Sequence, residues 1–398
     1  MNEVVIINFK SPPFIGIGGR RWGKLTRVFL ENGIRVHLIR SDWGSADQRV
    51  NPKWFDHPLL SHYVIKTQEH NKEASLLSRI VQKLRFWKSR WLGEFSFFDE
   101  GRYSTEDLKG ILNNISREAH IDCVFVTGPP FSWIIATSEW RSTHHSIPLW
   151  VDIRDPWLLA NNWGMANLSF IQRWREKGRY QKMMEQADFV SSPTYSLLNE
   201  MPSLSSKAKK VHLKHFFDWD DWEHCIGVEV SNHTWVYAGQ FYVGFEDHIE
   251  RWKSIIHSQG KKVNWKIFSK DHERFKKFFD GMEQVEIHGD IGHKVMIELA
   301  SAAGLVLCLS DYNKDYFTTK YFDYEPANKP ILYIGPLGEV AHSLSHSDRN
   351  GINEWVWQDN LLSDSAVIHW RPVKDTETSL NEVSERFREV QMLLKNRL

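Results

Sequence analysis

The chain lacks net charge. Lys and Arg number 50 and Asp and Glu number 50 over 398 residues. A general nucleic-acid or polyanion binder is therefore not expected, and any anion site must be local. Cysteine is scarce: Cys123, Cys225 and Cys308 stand far apart, two of them in apolar runs, so neither a disulfide framework nor a zinc-ligand pattern is present. A reducing cytoplasm is the expected home. No apolar run approaches bilayer length, and Met1-Asn2-Glu3-Val4 is not a basic segment leading into an apolar core. The chain thus reads as soluble or peripheral. Internal repeats and low-complexity tracts are missing as well. Tryptophan is abundant instead, at 19 residues. Most should lie in the core, although aromatic faces also stack on sugar rings and suit membrane interfaces.

The length is comfortable for two domains. Glu3 to Phe9 reads as a buried strand, Arg20 to Glu31 as a helix closed by Asn32-Gly33, and Ile34 to Ile39 as a second strand, together a βαβ unit. Further strands are expected at Cys123–Thr127 and Leu149–Ile153, an amphipathic helix at Leu168–Ala187, and edge strands at Asp188–Ser192 and Val211–Lys214. The alternation lapses between His215 and Asn232, which places a crossover linker at 215–232. It resumes with strands at His233–Ala238, Val263–Phe268, Val285–Ile287, Leu305–Leu309 and Ile331–Ile334. Glu377 to Leu398 reads as one long helix. The expected domains are thus 1–214 and 233–376, each Rossmann-like.

The richest segment runs from Asp315 to Tyr324, D-Y-F-T-T-K-Y-F-D-Y. It follows the short apolar run Gly304–Leu309, the mark of a strand covered on both faces. Thr318 and Thr319 can cap the next helix, whose free N–H groups and positive dipole end attract phosphate, and Lys320 adds a full charge. Asp323 can accept hydrogen bonds from a ribose diol and Asp315 from sugar hydroxyls. Pro326 keeps the helix short, and Asn328 suits its left-handed end. The segment is a donor pocket for an anionic sugar nucleotide.

These residues resemble the retaining family 4 glycosyltransferases of the GT-B fold, in which two glutamates stand at the spacing of Asp315 and Asp323. The bacterial polysaccharide branch carries a K-x-x-E-Y-like segment, matched by Lys320 through Tyr324. Four further pieces fit in order: Gly16 to Arg21, including Gly18, Gly19 and Arg21; Thr127 to Ser132; Val151 to Trp157; and Val236 to Gly239. The resemblance implies an α/β, GT-B architecture, with two Rossmann-like domains facing a deep interdomain cleft and the C-terminal helix returning to the N-terminal acceptor domain. It also implies transfer of a sugar from UDP-sugar or GDP-sugar to a glycan or lipid-linked acceptor with retention, in surface polysaccharide synthesis, with no cofactor and no metal in the chemical step. Asp315 would hold the donor sugar, Asp323 the ribose, and Thr318, Thr319 and Lys320 the departing diphosphate. The glycine loop at 16–21 would lie near acceptor and donor phosphates. Gly239 and Gln240 end the first strand of the donor domain, where relatives add a cation. Here Gln240 to Val243 supply none.

Other motifs keep two readings. Arg154-Asp155, at a strand's carboxyl edge, either orients an acceptor hydroxyl or forms a structural ion pair. Gly16 to Gly19 could be a dinucleotide fingerprint, but a Lys-Ser-Pro-Pro-Phe-Ile loop separates it from the strand. Its arginines could equally be solvated in a surface turn. Asp218-Trp219-Asp220-Asp221 imitates a metal-binding D-x-D and also suits a solvated turn with a helix cap. His342 with His346, and His144 with His145, read as surface histidines. Residues 78–95, basic and rich in Trp and Phe, fit either an anionic membrane surface, such as the inner face of the plasma membrane, or an ordinary amphipathic helix. Both acids being aspartate, with no glycine at Tyr316 to Thr319, leaves a degenerate carbohydrate-binding scaffold as an alternative. A sugar-nucleotide epimerase on the same fold is a third.

Overall fold

The computed structural model describes residues 1–14, 17–42, 51–67, 99–155, 157, 169–201, 208–225, 227–231, 233–241, 244–289, 293–309, 319–327, 329–336, 365–370 and 382–395. Backbone packing divides the chain into two units, Met1–Lys214 with Arg386–Leu398, and His215–Glu385.

In the first unit seven parallel strands form one sheet: β1 (Glu3–Asn8), β2 (Arg35–Ser41), β3 (Leu60–Ile65), β4 (Cys123–Gly128), β5 (Leu149–Ile153), β6 (Phe189–Ser192) and β7 (Lys209–His212). Their spatial order is β3-β2-β1-β4-β5-β6-β7. Helices α1 (Ile17–Glu31), α2 (Thr105–Glu118), α3 (Phe131–Arg141), α4 (Phe170–Gln186) and α5 (Tyr195–Glu200) connect them. Every residue of β4 and β5 is buried, as expected for apolar runs covered on both faces. Two expectations need correcting. β6 is not an edge, because it pairs with both β5 and β7. Helix α1 begins at Ile17 rather than Arg20, so Gly18 and Gly19 form its first turn. A Cβ on Gly19 would lie 1.6 Å from the Lys10 carbonyl oxygen, so only glycine lets this turn approach the end of β1 so closely.

In the second unit six strands are ordered β10-β9-β8-β11-β12-β13: β8 (Thr234–Ala238), β9 (Asn264–Phe268), β10 (Val285–His288), β11 (Gly304–Cys308), β12 (Ile331–Pro336) and β13 (Ser365–Trp370). All pairings are parallel except that of β13 with β12. The strands are joined by α6 (Glu246–Gln259), α7 (His272–Phe278), α8 (His293–Ser301) and α9 (Thr319–Tyr324). The period of two along β11 sorts its side chains between two cores. Leu305, Leu307 and Leu309 pack with Val295, Leu299 and Tyr324, while Val306 and Cys308 pack with Ile249, Trp252 and Phe275.

The C-terminal helix α10 spans Val383–Lys395, shorter than the helix expected from Glu377. Glu382 forms a bridge with Phe217, and its carboxylate accepts a 2.7 Å hydrogen bond from the Ser384 N–H. An acceptor there satisfies one of the open donors that mark a helix start. From Arg386 onward α10 belongs to the first unit, where Phe387 meets Phe29 edge to face at 5.1 Å. Among the described tryptophans Trp22, Trp133, Trp150, Trp157 and Trp252 are core residues, all below 2% exposed. Among the described residues no helix is long and apolar enough to cross a membrane.

Candidate functional site

In an open α/β sheet ligands gather at the carboxyl ends of strands, where the strand order reverses. The second unit reverses between β8 and β11 and the first between β1 and β4. The sequence candidates can be placed against these two points.

At the β8/β11 reversal Lys320, in the first turn of α9, reaches back over the strand ends. Its ammonium donates to the Tyr237 hydroxyl at 2.9 Å and lies 4.7 Å from the centre of the Tyr237 ring. That hydroxyl in turn donates to the Gln240 carbonyl at 2.9 Å, which fixes the loop after β8. A Cβ on Gly239 would fall 2.0 Å from the Lys320 ammonium, so the glycine is the space the lysine occupies. Burial pushes the Lys320 pKa down to about 8, against a smaller opposing pull from Cys308. The Cys308 thiol, buried at the end of β11, is pushed up to about 12. A partly desolvated cation at a switch point is prepared to be compensated by an anion.

The neighbours of Lys320 differ from expectation in part. Tyr324 is 1% exposed, and its hydroxyl accepts a 3.0 Å hydrogen bond from the Ala238 N–H. It is a strut tying α9 to β8 rather than a ligand-facing group. Thr319 and Asp323 are both partly buried on α9, and Gln240 is exposed. Asp323 follows Lys320 at the spacing that places two helical side chains on one face. Asp315, Thr318 and Asn328 lie outside the described residues. With six residues, α9 offers only a short dipole. Tyr237 was missed by sequence reasoning, which valued its tetrapeptide for the glycine.

At the β1/β4 reversal the largest correction concerns Arg21. It is 5% exposed and points inward, with Nη1 donating to both Asp152 oxygens at 3.1 and 3.0 Å and Nη2 to the Leu213 carbonyl. Asp152, fully buried, also accepts from Trp22 Nε1 at 2.8 Å and Ser191 Oγ at 2.6 Å. Arg21–Asp152 is thus a buried structural ion pair at the same strand end that carries Arg154 and Asp155. Arg154 instead donates through Nε to the Gly128 carbonyl at 3.2 Å and through Nη2 to that of Pro129 at 3.4 Å. Asp155 is partly buried. Burial raises its carboxyl above the usual range, against the pull of Arg154 and Lys10. Among the described residues no hydrogen bond reaches that carboxylate, so Lys10, Arg154 and Asp155 form a polar cluster with one acid poised to accept a proton.

The remaining motifs are scaffolding or lie outside the described residues. Asp218, expected in a solvated turn, is 3% exposed, and Oδ1 accepts from the Asp220 N–H at 3.1 Å, which closes the turn. Among the described residues no group of three or more His, Cys, Asp or Glu could hold a metal. A hollow of about 560 Å³ lined by Trp219, Trp222, Ala327 and Lys329 sits where the chain enters β12, at the sheet edge away from Lys320. Residues 78–95, Gly16, His342 and His346 lie outside the described residues. Asp99, unremarked in the sequence, accepts from the Ser132 N–H at 2.8 Å at the start of α3, and burial pushes its carboxyl up to about 6.

No protein-family model and no curated protein matches the chain. Solved structures do. An α,α-trehalose-phosphate synthase (UDP-forming) from Burkholderia vietnamiensis shares 8% identity over 87% of each chain, with a TM-score of 0.52. A second such synthase, from Burkholderia xenovorans and in complex with glucose-6-phosphate, shares 11% identity over 86% of this chain and 88% of that one, TM-score 0.52. The N-terminal domain of Candida albicans trehalose-6-phosphate phosphatase shares 10% identity over 84% and 82%, TM-score 0.53. At these identities the likeness is one of fold: an α/β chain of two Rossmann-like units with GT-B topology.

Proposed function

We propose that this protein is a retaining glycosyltransferase that moves a sugar from a nucleoside-diphosphate sugar to a hydroxyl of a glycan or lipid-linked acceptor, in surface polysaccharide synthesis of the family 4 type. The observation that carries the reading is Lys320. Its ammonium is held over the β8/β11 switch point by Tyr237 and Gly239, with its pKa lowered by burial. Charge develops on the departing diphosphate in the transition state, and a fixed cation in a partly dehydrated site stabilises it most at that moment. The amides of Thr318 and Thr319 would add donors, Asp323 would take the ribose, and Asp315 the donor sugar. On the acceptor side Asp155 would receive or orient the hydroxyl proton beside Lys10 and Arg154. The reading needs no cofactor and no metal in the chemical step. It places the enzyme in the cytoplasm, with residues 78–95 facing an anionic membrane.

Calorimetry with a panel of UDP- and GDP-sugars is the deciding experiment. One donor should bind, and Asp323→Ala should abolish the heat; silence from the whole panel would leave a scaffold protein. Nucleoside diphosphate should then be released only when acceptor is present, whereas an epimerase would convert the donor into its epimer with no net release of nucleoside diphosphate. Gly239→Ala is expected to drive Lys320 from its seat and weaken donor binding about tenfold or more, with thermal stability little changed. Unaltered donor affinity in that variant would remove Lys320 from the site. Asp155→Asn should lower kcat about a hundredfold while donor affinity stays constant; a change in affinity alone would place Asp155 on the donor instead.

A further inference from the structure

Helix α4 carries a second apolar surface that is largely exposed. Ser169 caps it, accepting from the Gln172 N–H, while the Gln172 side chain accepts from the Ser169 N–H at 2.9 Å. The first turn is thereby held in place. The inner face, Gln172, Glu176, Tyr180, Met183 and Met184, is buried, with Tyr180 edge-on to Trp157 at 5.3 Å. At about 100° per residue, Phe170, Ile171 and Trp174 project from the opposite side. They are 84%, 62% and 68% exposed, so three large apolar side chains stand together in water at one helix end, where scattered single exposures are the norm.

The charge around them is of one sign. Arg173, Lys177 and Lys182 are exposed along the same helix. Of its two glutamates, Glu176 is buried and bound to Arg179 at 2.6 Å, which leaves Glu185 as the exposed acid. This local excess of cation belongs to a chain with no net charge. A protruding aromatic and aliphatic tip ringed by Arg and Lys matches the interfacial zone of an anionic bilayer, where indole and phenyl rings enter the headgroup boundary and cations meet lipid phosphate. The tip offers roughly 500 Å², below the ~800 Å² per partner that a stable protein interface buries, and a bilayer demands no shape match.

The geometry points to α4 as a membrane-docking element, in which Phe170, Ile171 and Trp174 insert into an anionic lipid surface steadied by Arg173, Lys177 and Lys182. It does not rest on the proposed transferase activity, and its test needs no donor. The full chain is floated with vesicles of equimolar phosphatidylglycerol and phosphatidylcholine, and with pure phosphatidylcholine. The wild type should float with the anionic vesicles only. Phe170→Ser/Trp174→Ser, and separately Ile171→Asp, should reduce the floated fraction about tenfold with a melting temperature little changed, because these side chains are mostly exposed. Lys177→Ser/Lys182→Ser should weaken flotation and its salt dependence. Residues 78–95 stay intact in every variant, so undiminished flotation would assign binding elsewhere and overturn the inference. A wild type that stays unbound overturns it as well, and so does a sedimenting dimer that Phe170→Ser/Trp174→Ser dissolves.

Discussion

Replacing Asp152 by alanine is expected to cost about 3–5 kcal/mol of folding stability, a large share of the roughly 5–15 kcal/mol a domain has. The carboxylate is fully buried and accepts from Arg21, Trp22 and Ser191 at once. Its removal leaves a guanidinium inside the protein with its counter-charge gone and three further donors, on Trp22, Ser191 and Thr127, without this acceptor. Burial already lowers the Arg21 pKa, and Asp152 is the main influence opposing it. Arg21→Met should be far milder, since it removes the cation, fills similar volume and leaves Asp152 its neutral donors. Urea unfolding checks both. The midpoint for Asp152→Ala should fall steeply with an unchanged slope. A variant that keeps its midpoint but loses turnover would return Arg21 to the phosphate-binding loop in which it was first expected.

The contrast between Arg21 and Lys320 shows what the sequence could and could not reveal. Interior strands were legible because a parallel strand covered on both faces is dominated by apolar residues, as β1, β4, β11 and β12 are, and β5 apart from Asp152. β3, with its mixed Leu-Ser-His-Tyr-Val-Ile, and β13 are edge strands of their sheets. One open side tolerates polar residues, and the signal fades. Glycines 18 and 19 suggested a loop because their use, room for the Lys10 carbonyl, is a contact with a neighbouring segment that composition does not encode. Arg21 looked solvated because its partner lies far along the chain, at Asp152. The place of Lys320 was legible because it depends on local order, a lysine in the first turn of the helix that follows a buried strand. Its seat on Tyr237 was not, because β8 and α9 meet only once the sheet is built.

The largest effect on activity is expected at Lys320. Lys320→Met should lower kcat about 10²–10³-fold through loss of charge stabilisation at the leaving group, and should stabilise the unliganded protein at neutral pH. Its folded pKa of about 8 lies below the ordinary 10.5, so between those values the unfolded chain binds more protons than the native one. Wild-type stability therefore rises with pH across that window. Below pH 8 the lysine is charged in both states and its full desolvation cost is present. Discounted for the partial exposure of the side chain, that cost is about 1–3 kcal/mol. It should vanish in the methionine variant, which loses the Lys320 contribution to the climb between pH 8 and 10.5. A bound nucleoside diphosphate reverses the balance by favouring the charged amine. Its affinity for the wild type should hold steady to about pH 8 and then weaken toward tenfold per pH unit, with proton uptake measurable in buffers of different ionisation enthalpy. In Lys320→Met the affinity should be low and independent of pH over that range. A wild-type affinity equally flat from pH 7 to 10 would mean that this ammonium never meets the diphosphate, and the donor site would have to be sought elsewhere in the second unit.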